Sequence, residues 1–193
     1  MKYTLQKIAI ACTLLATISL QSCDKVKDAV KTPDISFSGA STDVVIPATS
    51  DTLNETTMNT VEVSYNIDSM VKATSGGTVS YSSIKTVKIT KMTLTLNDAD
   101  ASNNFGNFIT AAGKFNTNAN GGTLPTYTVA NITNNPATNV STLDMPLVDK
   151  DKDLKQYFGS GTVVFKYALT GKLRHATTKE LHCHVEVSYN IGF

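Results

Sequence analysis

The chain has 193 residues and a nearly balanced charge, with 17 Lys and Arg, 16 Asp and Glu, and a formal net charge of +1. Proteins that bind nucleic acid need an excess of basic residues to neutralise phosphates, so the composition argues against a nucleic-acid partner. The length suits a single domain after removal of any targeting segment.

Residues 1–22 have the layout of a secretory signal peptide. Lys2 and Lys7 lie in the first seven residues, and a largely apolar run follows at 8–20. A helix over that run would reach only about 20 Å, whereas the hydrocarbon core of a bilayer is about 30 Å thick. The run is therefore too short to cross a membrane comfortably, and no later segment is longer.

The end of this segment, Leu20-Gln21-Ser22-Cys23, resembles the lipobox of bacterial lipoproteins. The resemblance covers these residues alone. It implies attachment of a diacylglycerol to the Cys23 thiol, cleavage after Ser22, and usually acylation of the new amino terminus with a fatty acid such as palmitate. Each buried methylene contributes ~0.8 kcal/mol, so two or three acyl chains would hold the protein on a membrane. An ordinary signal peptide with a chance cysteine at its end is the alternative.

Residues 23–34 are predicted to be the lipidated N-terminus and a short tether, because Lys and Asp alternate there and Pro33 ends any helix. The lipobox and the Thr- and Asn-rich sequence after it resemble uncharacterised β-rich lipoproteins of Bacteroidota-type bacteria. We expect an outer-membrane location, at the periplasmic face or the cell surface. With Cys12 removed and Cys23 lipidated, Cys183 has no partner for an intramolecular disulfide.

Residues 35–193 are predicted to form one all-β domain, because β-favouring residues alternate with polar ones between Gly, Asn, Asp and Pro. Eight or nine short strands without long amphipathic helices favour an antiparallel β-sandwich of the Ig-like or jelly-roll type. The predicted strands lie at 35–38, 43–47, 56–67, 84–96, 105–116, 125–132, 141–148, 161–170 and 180–192, with one helical turn at 152–158.

Two of these strands carry further patterns. In the strand at 84–96 the apolar residues change face near Lys91, which predicts a β-bulge or a strand that serves two faces. The heptapeptide Val-Glu-Val-Ser-Tyr-Asn-Ile at 61–67 recurs letter for letter at 185–191. Either both copies occupy related places in the sandwich, or a good half-buried strand sequence arose twice.

Candidate metal ligands lie on the last predicted strand, where His182 and His184 flank Cys183 and share one face with Glu186. Two imidazoles and a carboxylate at this spacing could bind zinc. The sequence names no residue that would orient the imidazoles, so we favour an exposed polar face. The apolar residues would then turn inward, namely Leu181, Cys183, Val185 and Val187.

Two runs begin with the Asp-x-Asp spacing of a calcium-binding loop, one at Asp149 and one at Asp98. Neither continues, because Ser160 and Ile109 stand where the closing Glu should be. The first run better fits the solvated start of a helix. We therefore predict no metal site and no cofactor.

Catalytic motifs are also missing from the sequence, which has no Gly-x-Ser-x-Gly elbow, phosphate-binding loop or helix-borne zinc motif. We predict that the protein is not an enzyme. Two tripeptides, Asp51-Thr52-Leu53 and Asp68-Ser69-Met70, resemble the acceptor motif for O-glycosylation of exported proteins in Bacteroidota-type bacteria.

A candidate binding surface is predicted by counting strand reversals. If each strand from Ile84 onward runs antiparallel to its predecessor, the loops at 97–104, 133–139 and 171–179 share one end of the sandwich. Loops that converge on a rigid sandwich often bind ligands, whereas solvated turns without a ligand are the alternative. The candidate ligand-binding residues at this end are Asp98, Asp100, Asn103, Asn135 and His175.

The sequence thus predicts a lipid-anchored, non-catalytic envelope protein whose sandwich binds a glycan, a peptide or another envelope protein. A structural or assembly subunit of a pilus or envelope, acting through an edge strand, is the alternative. A small outer-membrane barrel is a third interpretation, since residues 185–193 alternate as a closing barrel strand does. The strands at 105–116 and 125–132 argue against it, because they expose no continuous apolar face.

Overall fold

The computed structural model describes residues 34–193. The predicted signal peptide, the lipid attachment at Cys23 and nearly all of the predicted tether lie outside the described residues. Within them the chain forms eight strands, which are β1 (Ile35–Ile46), β2 (Glu55–Tyr65), β3 (Thr86–Leu96), β4 (Phe108–Thr117), β5 (Tyr127–Ile132), β6 (Thr142–Asp144), β7 (Val163–Leu173) and β8 (Leu181–Gly192). Helix α1 spans Ile67–Thr74, and short 3-10 turns lie at Tyr81–Ser83, Phe105–Asn107, Ala119–Gly122 and Lys155–Tyr157.

The strands form two four-stranded sheets, with the orders β1-β8-β3-β6 and β2-β7-β4-β5. Every strand pair is antiparallel. This is the strand order of an eight-stranded jelly roll, in which the chain passes repeatedly between two facing sheets. The predicted all-β sandwich is confirmed, and of the two topologies left open the jelly roll is the one present.

The core lies between the inner faces of the two sheets. Strand β8 contributes every second side chain to it. Alternate side chains of β8, from Leu181 to Ile191, are at most 7% exposed. The inward-facing set predicted for this strand is therefore confirmed. In β3 the register with β8 shifts between Ile89 and Lys91, which is the predicted bulge. Because of this bulge Val87 and Met92, which are an odd number of residues apart, both face the core.

Aromatic side chains fill the core between the sheets around Phe115 on β4. Four rings have centroids within 5.9 Å of the Phe115 ring, those of Tyr127, Tyr157, Phe165 and Tyr167. These residues lie towards the end at which β4 stops and β5 and β7 begin. Their burial removes a large apolar area from water and supplies much of the stabilisation of this end of the sandwich.

The largest difference from the predicted elements is α1, because the sequence pattern predicts a strand at 56–67 and no helix after it. The side chain of Asn66 accepts a hydrogen bond from the backbone N–H of Ser69 at 2.9 Å and so begins the helix. The ammonium of Lys72 pairs with Asp68 at 2.6 Å one turn apart. No helix in the described part of the chain is long and apolar enough to cross a membrane.

Smaller differences concern strand ends. The strands predicted at 35–38 and 43–47 are one strand, β1, whose register with β8 shifts between Phe37 and Ala40. The strand predicted at 141–148 is limited to Thr142–Asp144, and the helical turn predicted at 152–158 is the 3-10 turn Lys155–Tyr157.

Candidate functional site

The loop end of the sandwich consists of the loops β1–β2, β3–β4, β5–β6 and β7–β8, and backbone hydrogen bonds join them directly. The N–H of Thr177 donates to the carbonyl of Thr49 at 3.0 Å, which links the β7–β8 and β1–β2 loops. The N–H of Asn135 donates to the carbonyl of Ile109 at 2.8 Å, which links the β5–β6 loop to the start of β4. The three loops predicted to share one end do so.

Arg174 ties three of these loops together. It is the single arginine in the sequence. Its Nη1 donates to the carbonyl of Gly106 at 2.7 Å and its Nη2 donates to the carbonyl of Asn135 at 2.6 Å. A planar guanidinium presents several donors in fixed directions, so one side chain can satisfy carbonyls of two neighbouring loops at once.

Four asparagine side chains form the framework beneath the loop end, and all are buried: Asn103, Asn104, Asn107 and Asn135. The Nδ2 of Asn135 donates to the carbonyls of Phe105 and Phe108 at 2.7 and 3.1 Å. The Oδ1 of Asn103 accepts from the N–H of Thr178 at 2.8 Å. Irregular loops lack regular backbone partners, and these amides supply them.

The prediction that Asn103 and Asn135 bind a ligand is therefore wrong. The sequence predicts that both face a ligand, but they are only 3% and 2% exposed and are committed to loop contacts. Asparagine is favoured in exposed turns and in buried loop frameworks for the same hydrogen-bonding reasons, so the sequence does not distinguish the two. The remaining predicted residues, Asp98, Asp100 and His175, lie at the surface of the loop end.

Asp100 is held in place by four donors although it is partly exposed. The ammonium of Lys179 lies 2.8 Å from its Oδ2, and the backbone N–H groups of Ser102 and Asn103 each donate to its Oδ1 at 2.8 Å. The amide of Asn103 also donates to it at 3.1 Å. These bonds, that from Lys179 above all, lower the pKa of Asp100 to about 2.

Asp98 connects the β3–β4 loop to the start of β8. Its Oδ2 lies 2.9 Å from Nδ1 of His182, and its Oδ1 accepts the backbone N–H of the same residue at 3.0 Å. The hydrogen bond with Asp98 raises the pKa of His182. The neighbouring outward-facing imidazole, His184, has its Nδ1 2.7 Å from Oδ1 of Asp43 on β1.

Among the described residues, no three His, Cys, Asp or Glu side chains are placed so that they could hold a metal ion. The acidic run at Asp149 starts a 3-10 turn instead, because Asp153 Oδ1 accepts the N–H groups of Val87 and Lys155 at 3.0 and 2.9 Å. Cys183 is fully buried, and burial raises the pKa of its thiol to about 12. Such a thiol carries almost no thiolate at neutral pH and is unreactive.

Beside the loop end, an open depression of about 190 Å³ lies under the β1–β2 loop, with Thr49, Thr57 and Phe108 in its wall. Leu53, at the tip of that loop, is 81% exposed. Asp51 accepts the backbone N–H of Leu53 at 2.9 Å and shapes the turn. The two glycosylation-like tripeptides thus lie in this surface loop and in the first turn of α1.

No family model matches the chain, and no curated protein sequence matches it. Several solved structures of viruses have a similar chain course. One of infectious bursal disease virus, strain Gt, has 9% identity and a TM-score of 0.38 over 83% of this chain and 33% of that chain. The present chain therefore spans about a third of that viral chain.

Two further virus structures are matched over most of both chains. The Israel acute paralysis virus pentamer has 12% identity and a TM-score of 0.32 over 82% of this chain and 88% of that chain. Turnip yellow mosaic virus has 14% identity and a TM-score of 0.29 over 83% and 80%. At such values the likeness says nothing about activity, and the jelly-roll topology is established by the strand order alone.

Proposed function

We propose that the protein is a lipid-anchored, non-catalytic binding module of the cell envelope, and that its loop end recognises a glycan, a peptide or another envelope protein. The observation that carries the proposal is the convergence of four loops on a framework of buried amides and Arg174. Loops held in this way lose little conformational entropy when they bind a ligand, so a larger share of the contact energy appears as affinity.

The surface of the loop end supports recognition of a polar ligand. Asp98, Asp100 and Lys179 present charged groups there, and His175 is exposed in the β7–β8 loop. The depression under the β1–β2 loop adds threonine hydroxyl groups and an apolar wall. Polar groups at fixed positions next to apolar surface are the usual composition of small binding sites.

Variants of exposed residues test the location of the site. We expect the double variant Asp98→Ala/His175→Ala to lose retention on an array of envelope glycans and peptides at least tenfold, because both side chains face the proposed ligand. Asn135 is unsuitable for this test, since its loss would remove a donor from two buried carbonyls, those of Phe105 and Phe108. Lys152→Ala, an exposed change between β6 and β7 at the opposite end, is the matched control. If the unchanged protein, the double variant and Lys152→Ala were all retained equally, the site would lie elsewhere.

The lipid anchor is proposed from the lipobox resemblance at Cys23, and with it the outer-membrane location. We expect Cys23→Ser to abolish incorporation of a labelled fatty acid and to leave an uncleaved or soluble protein. Cys12→Ser removes the other cysteine of the N-terminal segment and should still be labelled. Persistent labelling of the Cys23→Ser protein would refute the anchor without bearing on the loop end.

A structural or assembly subunit remains the second candidate, and the edge strands favour it. β1 and β2, of 12 and 11 residues, are both sheet edges. The side chain of Asn59 on β2 donates to the carbonyl of Val45 on β1 at 2.6 Å, so the two edges adjoin. A strand at the edge of a sheet can accept a strand from another chain. Analytical ultracentrifugation of the full chain decides: stable polymers support assembly, whereas a monomer retained on the array supports the binding module.

A further inference from the structure

An open depression of about 250 Å³, the Glu55 depression, lies on the outer face of the sheet β2-β7-β4-β5, near the loop end. The strand register places Ala112 between Thr170 of β7 and Asn131 of β5. The short side chain of Ala112 leaves room that its longer neighbours surround. Polar groups reach this room from Glu55, Lys114, Thr128 and Asn131.

A second depression of about 290 Å³, the Glu62 depression, lies where β4 ends and β7 begins. Its lining includes Glu62, Lys166 and Asn116, which are register neighbours across β2, β7 and β4. Lys166 is four residues along β7 from Thr170, whose hydroxyl group contacts Glu55. Four steps along a strand span ~13 Å, so one chain molecule of a few units can lie across both depressions.

Each depression contains one carboxylate and one ammonium group at the same separation. Nζ of Lys114 is 3.8 Å from Oε1 of Glu55, and Nζ of Lys166 is 3.8 Å from Oε1 of Glu62. Direct hydrogen bonds between such atoms are shorter, at about 2.7–3.2 Å. A hydroxyl oxygen can lie ~2.8 Å from both atoms at once, accepting from the ammonium and donating to the carboxylate. Thr170 donates to Oε1 of Glu55 at 2.9 Å and so orients the first carboxylate.

The chemistry of this face favours an uncharged ligand rich in hydroxyl groups. The charges of each Glu–Lys pair cancel, so neither depression attracts an acidic or a basic polymer strongly. β7 and β4 are inner strands, whose backbone groups bond to the strands on both sides. The face therefore offers side chains and no strand edge, and an extended peptide pairs with a strand edge. The hydroxyl groups of a glycan both donate and accept, as the two pairs require.

We propose that the outer face of β2-β7-β4-β5 binds an uncharged glycan chain, with one sugar unit in the Glu55 depression and another in the Glu62 depression. A hydroxyl group of each unit bridges the carboxylate and the ammonium group there. Ala168, between Lys166 and Thr170 on β7, is small enough to let the chain pass close to the sheet. This site lies on a sheet face and is independent of ligand recognition by the loop end.

Binding of the full-length chain in detergent to uncharged polysaccharides tests the proposal, with immobilised glucans, mannans, xylans and galactans as probes. We expect retention on at least one of them that high salt does not weaken, because no net charge is involved. Glu55→Ala and Glu62→Ala should each weaken the affinity at least tenfold. Glu186→Ala removes an exposed glutamate from the outer face of the other sheet and should leave it unchanged. Retention on none of these polysaccharides, or an unchanged affinity in Glu55→Ala/Glu62→Ala, overturns the proposal.

The loop-end variant separates the two sites. Asp98→Ala/His175→Ala should bind the polysaccharide as the unchanged protein does. Loss of polysaccharide binding in that variant alone would assign the glycan to the loop end and contradict a site on the sheet face.

Lysine acetylation locates the bound polysaccharide without a variant. The retained polysaccharide should slow acetylation of Lys114 and Lys166 by a small uncharged reagent at least threefold, as measured by mass spectrometry. Lys91, 59% exposed on the other sheet, should react at its original rate. Equal protection of all three lysines, or protection of none, contradicts the site. The melting temperature of each variant shows whether the fold is retained.

Discussion

The same seven residues, Val-Glu-Val-Ser-Tyr-Asn-Ile, adopt different structures at 61–67 and 185–191. The first copy runs along β2, an edge strand, and leaves it at Asn66 to enter α1. The second copy stays within β8, between β1 and β3. The two copies do not occupy related places, so their identity reflects convergence on a good strand sequence, one of the two explanations that the sequence left open.

This difference shows that the structure of the heptapeptide depends on the residues that follow it and on the strands that pair with it. After the first copy come Asp68 and Ser69, which suit a first helical turn, because Asn66 caps the N–H of Ser69 and Asp68 is acidic near the helix start. After the second copy the chain stays extended, since Asn190 faces partners in β1 and in β3. Two neighbouring strands satisfy the backbone of β8 on both sides.

The largest expected difference between the copies is at their third residue. Val187 is 3% exposed, so Val187→Asp buries an unpaired carboxylate and should lower the free energy of unfolding by about 4 kcal/mol or more. Val63→Asp lies on the edge strand, where the carboxylate can turn to water, and should cost about 1–2 kcal/mol. Urea unfolding followed by circular dichroism measures both.

The solvent-facing residue beside Val187 supplies the control for that comparison. Glu186→Ala should change the free energy of unfolding by less than about 0.5 kcal/mol, because the side chain is exposed. If Val63→Asp and Val187→Asp were equally destabilising, the contrast between edge and central strand would not explain the two structures.

A second difference concerns the tyrosine of each copy. Burial raises the pKa of both Tyr65 and Tyr189, and Tyr189, at 7% exposed, is the more deeply buried. The unfolded chain ionises these phenols near pH 10 while the folded chain keeps them neutral. The stabilisation is therefore complete below about pH 10 and is lost as the pH rises above it.

Alkaline unfolding measures this effect. Tyr189→Phe should make stability less dependent on pH above 10, and Tyr65→Phe should do so to a smaller extent. At neutral pH Tyr189→Phe should cost about 1 kcal/mol, because it removes the contact between the Tyr167 and Tyr189 hydroxyl groups, 3.2 Å apart. A larger alkaline effect for Tyr65→Phe would reverse the assigned order of burial.

The smallest expected difference is at the sixth residue. Asn66→Ala removes the helix cap and should destabilise the protein by about 1 kcal/mol. Asn190→Ala changes an outward position of β8 and should cost less than about 0.5 kcal/mol. Hydrogen exchange should become faster at Met70, whose N–H bonds to the carbonyl of Asn66, only in the first variant. Faster exchange at Met70 in Asn190→Ala would contradict a local capping effect.

The features that the sequence predicts correctly depend on patterns that are visible locally or by counting. The bulge in β3 shows as a change of apolar phase, and the shared loop end is implied by the alternation of strand direction. The sequence pattern misses α1 because the residues up to Ile67 repeat the sequence of a strand. The helix nevertheless begins at the last two residues of that repeat, where Asn66 is the cap and Ile67 is the first helical residue. The role of Arg174 depends on carbonyls in loops 68 and 39 residues away, which no local pattern reveals.

The central place of β8 has a consequence for the order in which the protein can be made. β1 and β3 are neighbours in their sheet only through β8, the last strand of the described chain. Because the polypeptide is synthesised from its amino terminus, β1 has no strand partner in its sheet until residues 181–192 have been made. Loop closure over that distance is slow and entropically costly. This sheet therefore cannot close until residues 181–192 have been synthesised, so β1 and β3 wait for their shared partner while all the other strands are already present.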